Sequence, residues 1–372
     1  MIVYYAYLSI GTNKNSPFEQ LDVGIISANI FQMTIARKYL IDYTKTCFYH
    51  CMSRCARQEF LLDSVDTSEG ETNYRNDWIQ RRLLYLSDVF AIDLMSFAIM
   101  DNHTHLVLFA NLDLAKQWSN VEVLKRWTKL GKLPLLCQLY LSKDWRSKLN
   151  DVELSIVLEQ IDVYRAKLAN ISVFMSRFNY YIAKRANKED RVSGHFWEAR
   201  FKSQALLDMN AVLACMAYVD LNPIRAKKSF TLLDSKHTSI KYRLNRAEDH
   251  SQAKILPLKI TASKHFMTEP LNMTLEAYTL HLERLIGSKQ TIKDLTTIEA
   301  FSNNNKLWQK YTLSFEELFP IAAGENELVS HFIKQARLFT NIKNSEESAL
   351  AETILSRLLD SQYLFERTHL YN

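Results

Sequence analysis

The chain contains few of the residues that interrupt helices, with seven glycines and six prolines in 372 residues. Both are frequent in turn-rich β structure, so their scarcity predicts that long helices predominate. Hydrophobic residues make up 47% and charged residues 23% of the sequence, which is typical of a protein with a sizeable core. No apolar run approaches the length of a transmembrane helix and no secretory signal is evident, so we expect a cytoplasmic protein without a membrane partner.

The five cysteines form neither a disulfide pattern nor a zinc pattern. Their odd number argues against a disulfide framework. Cys47, Cys51 and Cys55 are spaced by four residues, whereas zinc sites usually combine closely spaced pairs. We expect reduced, partly buried thiols.

Hydrophobic periodicity predicts an α+β fold. The predicted elements, in chain order, are a strand at Tyr49–Arg54, a helix capped by Asn73, a strand-length apolar run at Phe97–Phe109, helical spacing over 121–187, a strand at Gly194–Ser203, and a helix that Asp208 caps and Pro223 ends. This order predicts a ferredoxin/RRM-like antiparallel sheet core with a helical insertion near 112–190.

The same patterns divide the chain into three parts. Residues 1–38 show no clear periodicity and form an extension that need not belong to the native protein. Residues 39–245 form the main domain. Residues 246–372 form a mostly helical region, with apolar stripes such as Leu275, Tyr278, Leu282 and Leu285.

The net charge of +5 is uninformative by itself, but its distribution is uneven. Seven basic residues stand against three acidic ones between Arg177 and Gln204, and a second basic stretch runs from Arg225 to Arg246. Such clusters are typical of a surface that binds a polyanion such as nucleic acid. A solvated helix face would have the same composition, and both interpretations stay open here.

His103 and His105 interrupt an apolar run of strand length. Residues two apart on a strand point to the same face, so both imidazoles project from one side and Thr104 from the other. Burying two histidines is costly unless both are satisfied. A divalent metal would satisfy them, as would hydrogen bonds within the core.

Tyr218 and Asn222 stand four residues apart at the end of a predicted helix, which places them on one face. Such a tyrosine is usually structural, with its ring in the core. A metal held by two imidazoles and one amide oxygen, however, keeps positions open for phosphate oxygens, and a hydroxyl one helical turn away could attack in line.

Four ordered motifs carry a family resemblance: YHCMSRC at 49–55, DNHTHLVLF at 101–109, SGHFWEARFKSQALL at 193–207 and YVDLNPIRA at 218–226. Together they resemble the REP-associated tyrosine transposases, relatives of the single-tyrosine HUH transposases of bacterial insertion sequences. The resemblance covers the chain from about Met33 to about Tyr242, and residues 1–32 have no counterpart in it.

The resemblance implies an HUH fold with His103, His105 and Asn222 as ligands of Mg²⁺ or Mn²⁺. It makes Tyr218 the nucleophile that attacks single-stranded DNA at palindromic hairpin repeats, giving a 5′-phosphotyrosyl link and a free 3′-hydroxyl that can rejoin strands. It also implies a bacterial-type, nucleoid-associated monomer or homodimer. Thr104 departs from the family, where this position is commonly large and apolar, and we expect a small packing loss from it.

We expect DNA contacts from the basic residues near these motifs, namely Arg185, Lys188, Arg191, Arg200, Lys202, Arg225 and Lys227. Phe196, Trp197, Phe201, Tyr180 and Tyr181 lie among them, and some of these rings could stack on unpaired bases. Alternation favours Trp197 and Phe201 as core residues instead.

Three further histidines are less clearly assigned. Each of His50 and His195 lies on a predicted strand and could neighbour the metal site, but we interpret both as structural. No decisive argument assigns a role to His237, although it could lie near DNA.

Two other functions fit parts of the pattern. A domesticated, catalytically silent DNA- or RNA-binding regulator would keep the basic surface, but it has no need of both histidines, the tyrosine and the asparagine at these spacings. A metal-dependent phosphodiesterase that uses water would need the metal ligands but not Tyr218.

Overall fold

The computed structural model describes residues 40–42, 45–56, 74–247, 255, 257–258, 273–286, 314–325 and 327–333. These residues form an α+β fold around a five-stranded sheet. The predicted extension at 1–38 and the Asn73 cap fall outside the described residues. In the part of the chain that the structure describes, no helix is long and apolar enough to cross a bilayer.

The sheet has the strand order β2-β3-β1-β4-β5. Its strands are β1 (Cys47–Arg54), β2 (Ile92–Ile99), β3 (His103–Ala110), β4 (Lys202–Leu206) and β5 (Ala322–Ala323). The first four strands pair antiparallel, as predicted. The short β5 pairs parallel with β4, so the sheet as a whole is mixed.

The apolar run at Phe97–Phe109 forms two strands of a hairpin. The strand β2 ends at Ile99, and β3 begins at His103 after a short turn. The amide of Met100 donates to the carbonyl of His103 at 2.9 Å, which closes this turn. The turn therefore lies at the polar residues that interrupt the run, and His103 opens the strand that follows.

Helices account for the rest of the regular structure in the described ranges. They include α1 (Tyr74–Val89), α2 (Leu112–Gln117), α3 (Asn120–Thr128), α4 (Leu135–Leu141), α5 (Lys143–Arg146), α6 (Asp151–Leu168), α7 (Ile171–Glu189), α8 (Met209–Asp220), α9 (Asn222–Arg225), α10 (Ser239–Leu244), α11 (Leu275–Ile286) and α12 (Phe315–Leu318). Six of them, α2 to α7, lie between β3 and β4. Asn150 begins α6 with a capping box, and Asn170 caps α7 through Val173 N.

The two faces of the sheet bury different sets of side chains, because side chains alternate along a strand. Tyr49, Cys51 and Leu106 belong to the core shared with α1 and the helices between β3 and β4. Val107 and Phe109 point to the opposite face and pack with the apolar side of α8, α11 and α12. All five cysteines lie in described segments and are free thiols, four of them buried, as expected.

Two predicted elements are wrong in their bounds. Gly194–Ser203 is not a strand: β4 begins only at Lys202, and the preceding segment is irregular apart from an isolated bridge between Trp197 and Cys55. The predicted helix that Asp208 caps ends at Asp220 rather than at Pro223.

Candidate functional site

The candidate site lies on the sheet face that packs against α8. Cross-strand pairing sets Arg54 opposite His103 and Met52 opposite His105 on β1 and β3, and His50 opposite Gln204 on β1 and β4. Residues paired across adjacent strands share a face. The two predicted histidines therefore lie on the same face as His50, which the sequence placed on a strand that could neighbour the metal site.

The rings of His103 and His105 meet edge to face, with centroids 4.9 Å apart. His105 is buried, whereas His103 is half-buried at the start of β3. The Nδ1 atom of His103 lies 2.6 Å from Asn102 Oδ1. Because an amide oxygen only accepts hydrogen bonds, Nδ1 is the protonated nitrogen of neutral His103, and its Nε2 carries a lone pair.

Burial keeps both imidazoles neutral. Loss of hydration lowers the pKa of His103 to about 4, and the nearby positive charge of Arg54 adds to this effect. Burial, with the neighbouring imidazoles, lowers the pKa of His105 well below its ordinary value. Neutral imidazole is the form that binds a metal, so neither ring has to lose a proton near neutral pH.

Tyr218 reaches this face from α8. Its ring centroid lies 5.6 Å from that of His105 and 5.9 Å from that of His50. The side chain is almost entirely buried. The strand histidines and the helix tyrosine, predicted separately from two distant motifs, thus lie side by side.

A carboxylate from the C-terminal region completes the cluster, and nothing in the sequence pattern had indicated it. The hydroxyl of Tyr218 donates to Glu316 Oε1 at 2.6 Å, and the same oxygen lies 3.4 Å from His105 Nδ1. Glu316 stands on α12, which buried Phe315 and Phe319 anchor beside Tyr218 and His50. Its contact with Tyr218 comes from tertiary packing, which a local pattern does not reveal.

The electrostatics around Tyr218 favour the protonated phenol. Burial raises the pKa of the hydroxyl, and the negative charge of Glu316 with the hydrogen bond to it raises it further. Arg225 opposes this effect: its guanidinium lies 4.2 Å from the centroid of the Tyr218 ring. Its Nη1 atom is buried and has no hydrogen-bond partner among the described residues.

His50 and Gln204 link the site to the backbone of the C-terminal region. His50 Nε2 lies 3.0 Å from His105 Nδ1, and His50 Nδ1 lies 2.5 Å from Gln204 Oε1. Gln204 Nε2 donates in turn to the carbonyl of Phe319. His50 is a buried part of the sheet face, as its structural interpretation predicted, but it also touches a candidate metal ligand.

Asn222 opens α9 and is buried. The helix α8 ends at Asp220. The prediction that Tyr218 and Asn222 stand on one continuous helix is therefore wrong. Within the described residues, no hydrogen bond joins the Asn222 side chain to either histidine, so its role as a ligand stays a prediction. An ion pair between Lys228 and Asp101 ties the chain after α9 to the turn before His103.

The remaining predicted DNA-contact residues are mostly exposed. Lys188, Arg191, Arg200, Lys202 and Lys227 all lie at the surface. Arg185 is less available for contact with DNA, because its Nε pairs with Glu189 at 2.9 Å and its guanidinium lies 4.5 Å from the Trp78 ring centroid.

The aromatic residues of this region divide between core and surface. Phe196 and Phe201 are buried and Trp197 and Tyr181 half-buried, so only Tyr180 of the five candidate stacking rings is exposed. The core interpretation of Phe201 is confirmed.

The two other histidines lie away from this cluster of contacts. His195 is exposed rather than part of a strand. His237 lines a polar cleft of about 490 Å³ together with Lys236, Lys241 and Arg246, and none of the site residues lines that cleft.

The donor atoms of the cluster fit a divalent metal ion. One ring nitrogen each of His50 and His105 and a carboxylate oxygen of Glu316 all lie within 4.8 Å of one another. Neutral imidazoles suit borderline ions such as Zn²⁺, and the carboxylate also suits harder ions such as Mn²⁺. His105 has a second nitrogen, Nε2, so it could also share a metal with His103.

Comparison with known proteins adds one structural likeness. No protein-family model matches the chain, and no curated protein matches it. A solved structure of a REP-associated tyrosine transposase bound to a REP hairpin matches 65% of this chain and 99% of that chain. The two sequences are 11% identical, and the TM-score is 0.31. This is a weak likeness at the level of the fold, and the function proposed below does not depend on it.

Proposed function

We propose that the chain is a metal-dependent tyrosine nuclease and strand transferase with an HUH fold, acting on single-stranded DNA at hairpin-forming repeats. Tyr218 is the nucleophile, and His103, His105 and Asn222 hold Mg²⁺ or Mn²⁺. The observation that supports this best is the distance of 5.6 Å between the ring centroids of His105 and Tyr218. A nucleophile beside neutral imidazoles is an arrangement that suits metal-assisted phosphoryl transfer.

In the proposed reaction, the Tyr218 oxygen attacks phosphorus while its proton passes to Glu316. The bond from phosphorus to the 3′ oxygen breaks, that oxygen takes a proton from water to become a free 3′-hydroxyl, and Glu316 returns its proton to the solvent. The 5′ phosphate stays on Tyr218 as a phosphodiester, and attack by a 3′-hydroxyl reverses the step to join strands. The divalent ion would supply Lewis-acid stabilisation of charge on the phosphate oxygens.

Glu316 is suited to accept this proton because the hydrogen bond of 2.6 Å already joins it to the nucleophile. A base within hydrogen-bond reach of the proton that it removes meets the main geometric requirement of general base catalysis. Arg225 complements it: the cation over the Tyr218 ring favours developing negative charge, and its buried Nη1 atom, unpartnered among the described residues, can donate to a phosphate oxygen.

DNA would reach the site over the basic surface. We assign phosphate contacts to the exposed Lys188, Arg191, Arg200, Lys202 and Lys227. Their contribution should be independent of sequence and should weaken with salt.

The test is incubation of the full chain with end-labelled single-stranded hairpin repeats taken from around its gene, with Mn²⁺ or Mg²⁺. A denaturing gel should show a covalent protein–DNA species that EDTA prevents and that Tyr218→Phe does not form, although this variant still binds the DNA. Tyr242→Phe, at a half-buried tyrosine on α10, is the matched control and should form the adduct.

The other outcomes contradict the proposal in different ways. Cleavage that persists in Tyr218→Phe would indicate a phosphodiesterase that uses water. Hairpin binding without any cleavage by the wild-type protein would indicate a regulator without catalysis.

A further inference from the structure

A line of hydrogen bonds crosses the buried sheet face from the backbone of Phe319 to the ring of His105. Gln204 Nε2 donates to Phe319 O, Gln204 Oε1 lies 2.5 Å from His50 Nδ1, and His50 Nε2 lies 3.0 Å from His105 Nδ1. Gln204, His50 and His105 are 1%, 0% and 3% exposed, so water does not compete for these contacts.

The chemistry of the end groups gives this line one direction. A backbone carbonyl only accepts hydrogen bonds, so the NH₂ group of Gln204 faces Phe319 and the amide oxygen faces His50. His50 must then donate from Nδ1, which leaves Nε2 as its acceptor. The hydrogen bond between the two rings is therefore donated by His105 Nδ1, and the lone pair of His105 lies on Nε2.

We propose that His50 and Gln204 are positioning residues that hold His105 in the tautomer with its proton on Nδ1, so that Nε2 is presented to the metal. Metal-bound histidines commonly donate their other N–H to a fixed acceptor, which sets both tautomer and ring orientation. Asn102 does the same for His103, since it accepts from His103 Nδ1 at 2.6 Å. The two candidate ligands thus offer the same nitrogen, each fixed by its own acceptor.

The tautomer of His105 follows from the hydrogen bonds alone. That this tautomer presents Nε2 to a metal rests on the proposed function. The cluster also permits a different arrangement, in which a metal binds His105 Nδ1 together with His50 Nε2 and Glu316. That arrangement requires His105 Nδ1 to lose its proton, so the two can be told apart by observing this nitrogen.

The first experiment is a long-range ¹H–¹⁵N correlation spectrum of metal-free, full-length protein with ¹⁵N-labelled histidine. The His105 signals are identified by their loss in His105→Asn. We expect a protonated Nδ1 and an unprotonated Nε2, and on addition of Zn²⁺ as a diamagnetic probe the large shift should fall on Nε2. A proton on Nε2 in the metal-free protein, or a Zn²⁺ shift on Nδ1, would overturn the proposal.

The second experiment measures Mn²⁺ affinity by electron paramagnetic resonance, without DNA. His50→Leu removes the acceptor and should weaken Mn²⁺ binding by about 10- to 100-fold. His50→Gln can place an amide oxygen near the former Nε2 position and should restore binding to within a few-fold of wild type. His195→Leu, at an exposed histidine, is the control for loss of one imidazole and should bind as wild type does.

These readouts separate the inference from the function that it serves. Should the spectrum and the affinities agree with expectation while no DNA is cleaved, the proposed nuclease activity is wrong and the positioning role stands. Equal losses of Mn²⁺ affinity in His50→Leu and His50→Gln would reject the positioning role, whatever the cleavage assay gives. Should His50→Leu fail to fold, the wild-type spectrum and the binding by His50→Gln still decide the matter.

Discussion

The hydroxyl of Tyr218 donates a hydrogen bond of 2.6 Å to the carboxylate of Glu316, which lies 98 residues further along the chain. In the resting protein this contact and burial together raise the pKa of the phenol, so the nucleophile is held protonated. The same contact gives the proton an acceptor when attack begins. Glu316 is thus placed both to restrain Tyr218 and to activate it.

Replacing Glu316 by glutamine tests the activating role. The amide can still hydrogen-bond to the hydroxyl but cannot take up its proton, so the rate of adduct formation should fall by about 100-fold or more. Single-turnover gel assays at saturating Mn²⁺ measure this rate. Glu317→Gln changes the exposed neighbouring carboxylate and should leave the rate near wild type. A Glu316→Gln rate equal to that of Glu317→Gln would exclude proton transfer to Glu316.

Arg225→Met tests the guanidinium over the Tyr218 ring. Methionine keeps much of the apolar contact but removes the charge and the free Nη1 donor, so adduct formation should slow by about 100- to 1,000-fold, as for loss of a donor to a developing oxyanion. The matched control is Arg146→Met, because Arg146 stacks similarly on Tyr140 at 4.4 Å in the helices between β3 and β4. If Arg225→Met and Arg146→Met slow adduct formation by the same small factor, Arg225 contributes only packing.

Local patterns made part of the site predictable from sequence. His103 and His105 follow the alternation of a strand, which fixes the face of each side chain, and the structure has them on β3 with their rings in contact. Asp208 was predictable as a helix cap because aspartate is favoured at this position. Its side chain accepts from Ala211 N, three residues further on. These features depend on neighbours within a few residues.

Other parts depend on contacts between distant segments and could not be predicted in this way. Glu316 is one acidic residue among many until Phe315 and Phe319 pack α12 beside Tyr218. The strand wrongly predicted at Gly194–Ser203 is the converse case, because there a local pattern is present without the strand that it usually indicates. Its alternation of aromatic and charged residues comes from an irregular segment that buries Phe196 and exposes its polar neighbours.

Tyr278→Phe tests how α11 is attached to the core. The carboxylate of Asp220 is fully buried and accepts hydrogen bonds from Tyr278 Oη at 2.8 Å, Ile240 N at 2.9 Å and Ser239 Oγ. Loss of one hydrogen bond to a buried charge should lower the free energy of unfolding by about 2 kcal/mol. Urea denaturation followed by circular dichroism measures this difference.

The control for Tyr278→Phe is Tyr242→Phe. The Tyr242 hydroxyl accepts an exposed hydrogen bond from Arg246, and its loss should cost less than about 0.5 kcal/mol. Equal effects of the two substitutions would mean that the buried Asp220 contact does not hold α11 in place.

His281 on α11 provides a pH prediction outside the candidate metal site. Burial lowers its pKa to about 4, with a further contribution from the positive charge of Arg284. In the unfolded chain its pKa is near the usual value of about 6.5. Between these two values the unfolded state binds a proton that the folded state does not, so stability falls as the pH is lowered from 6.5 towards 4.

His281→Gln removes this contribution, because glutamine does not titrate. The loss of unfolding free energy between pH 7 and pH 4 should therefore be smaller in the variant by up to about 3 kcal/mol. Urea denaturation of both proteins at several pH values in this interval, with EDTA present throughout, measures the difference. The other buried histidines titrate alike in both proteins and cancel in the comparison. Parallel stability curves for the two proteins would show that His281 is protonated as readily in the folded chain as in the unfolded one.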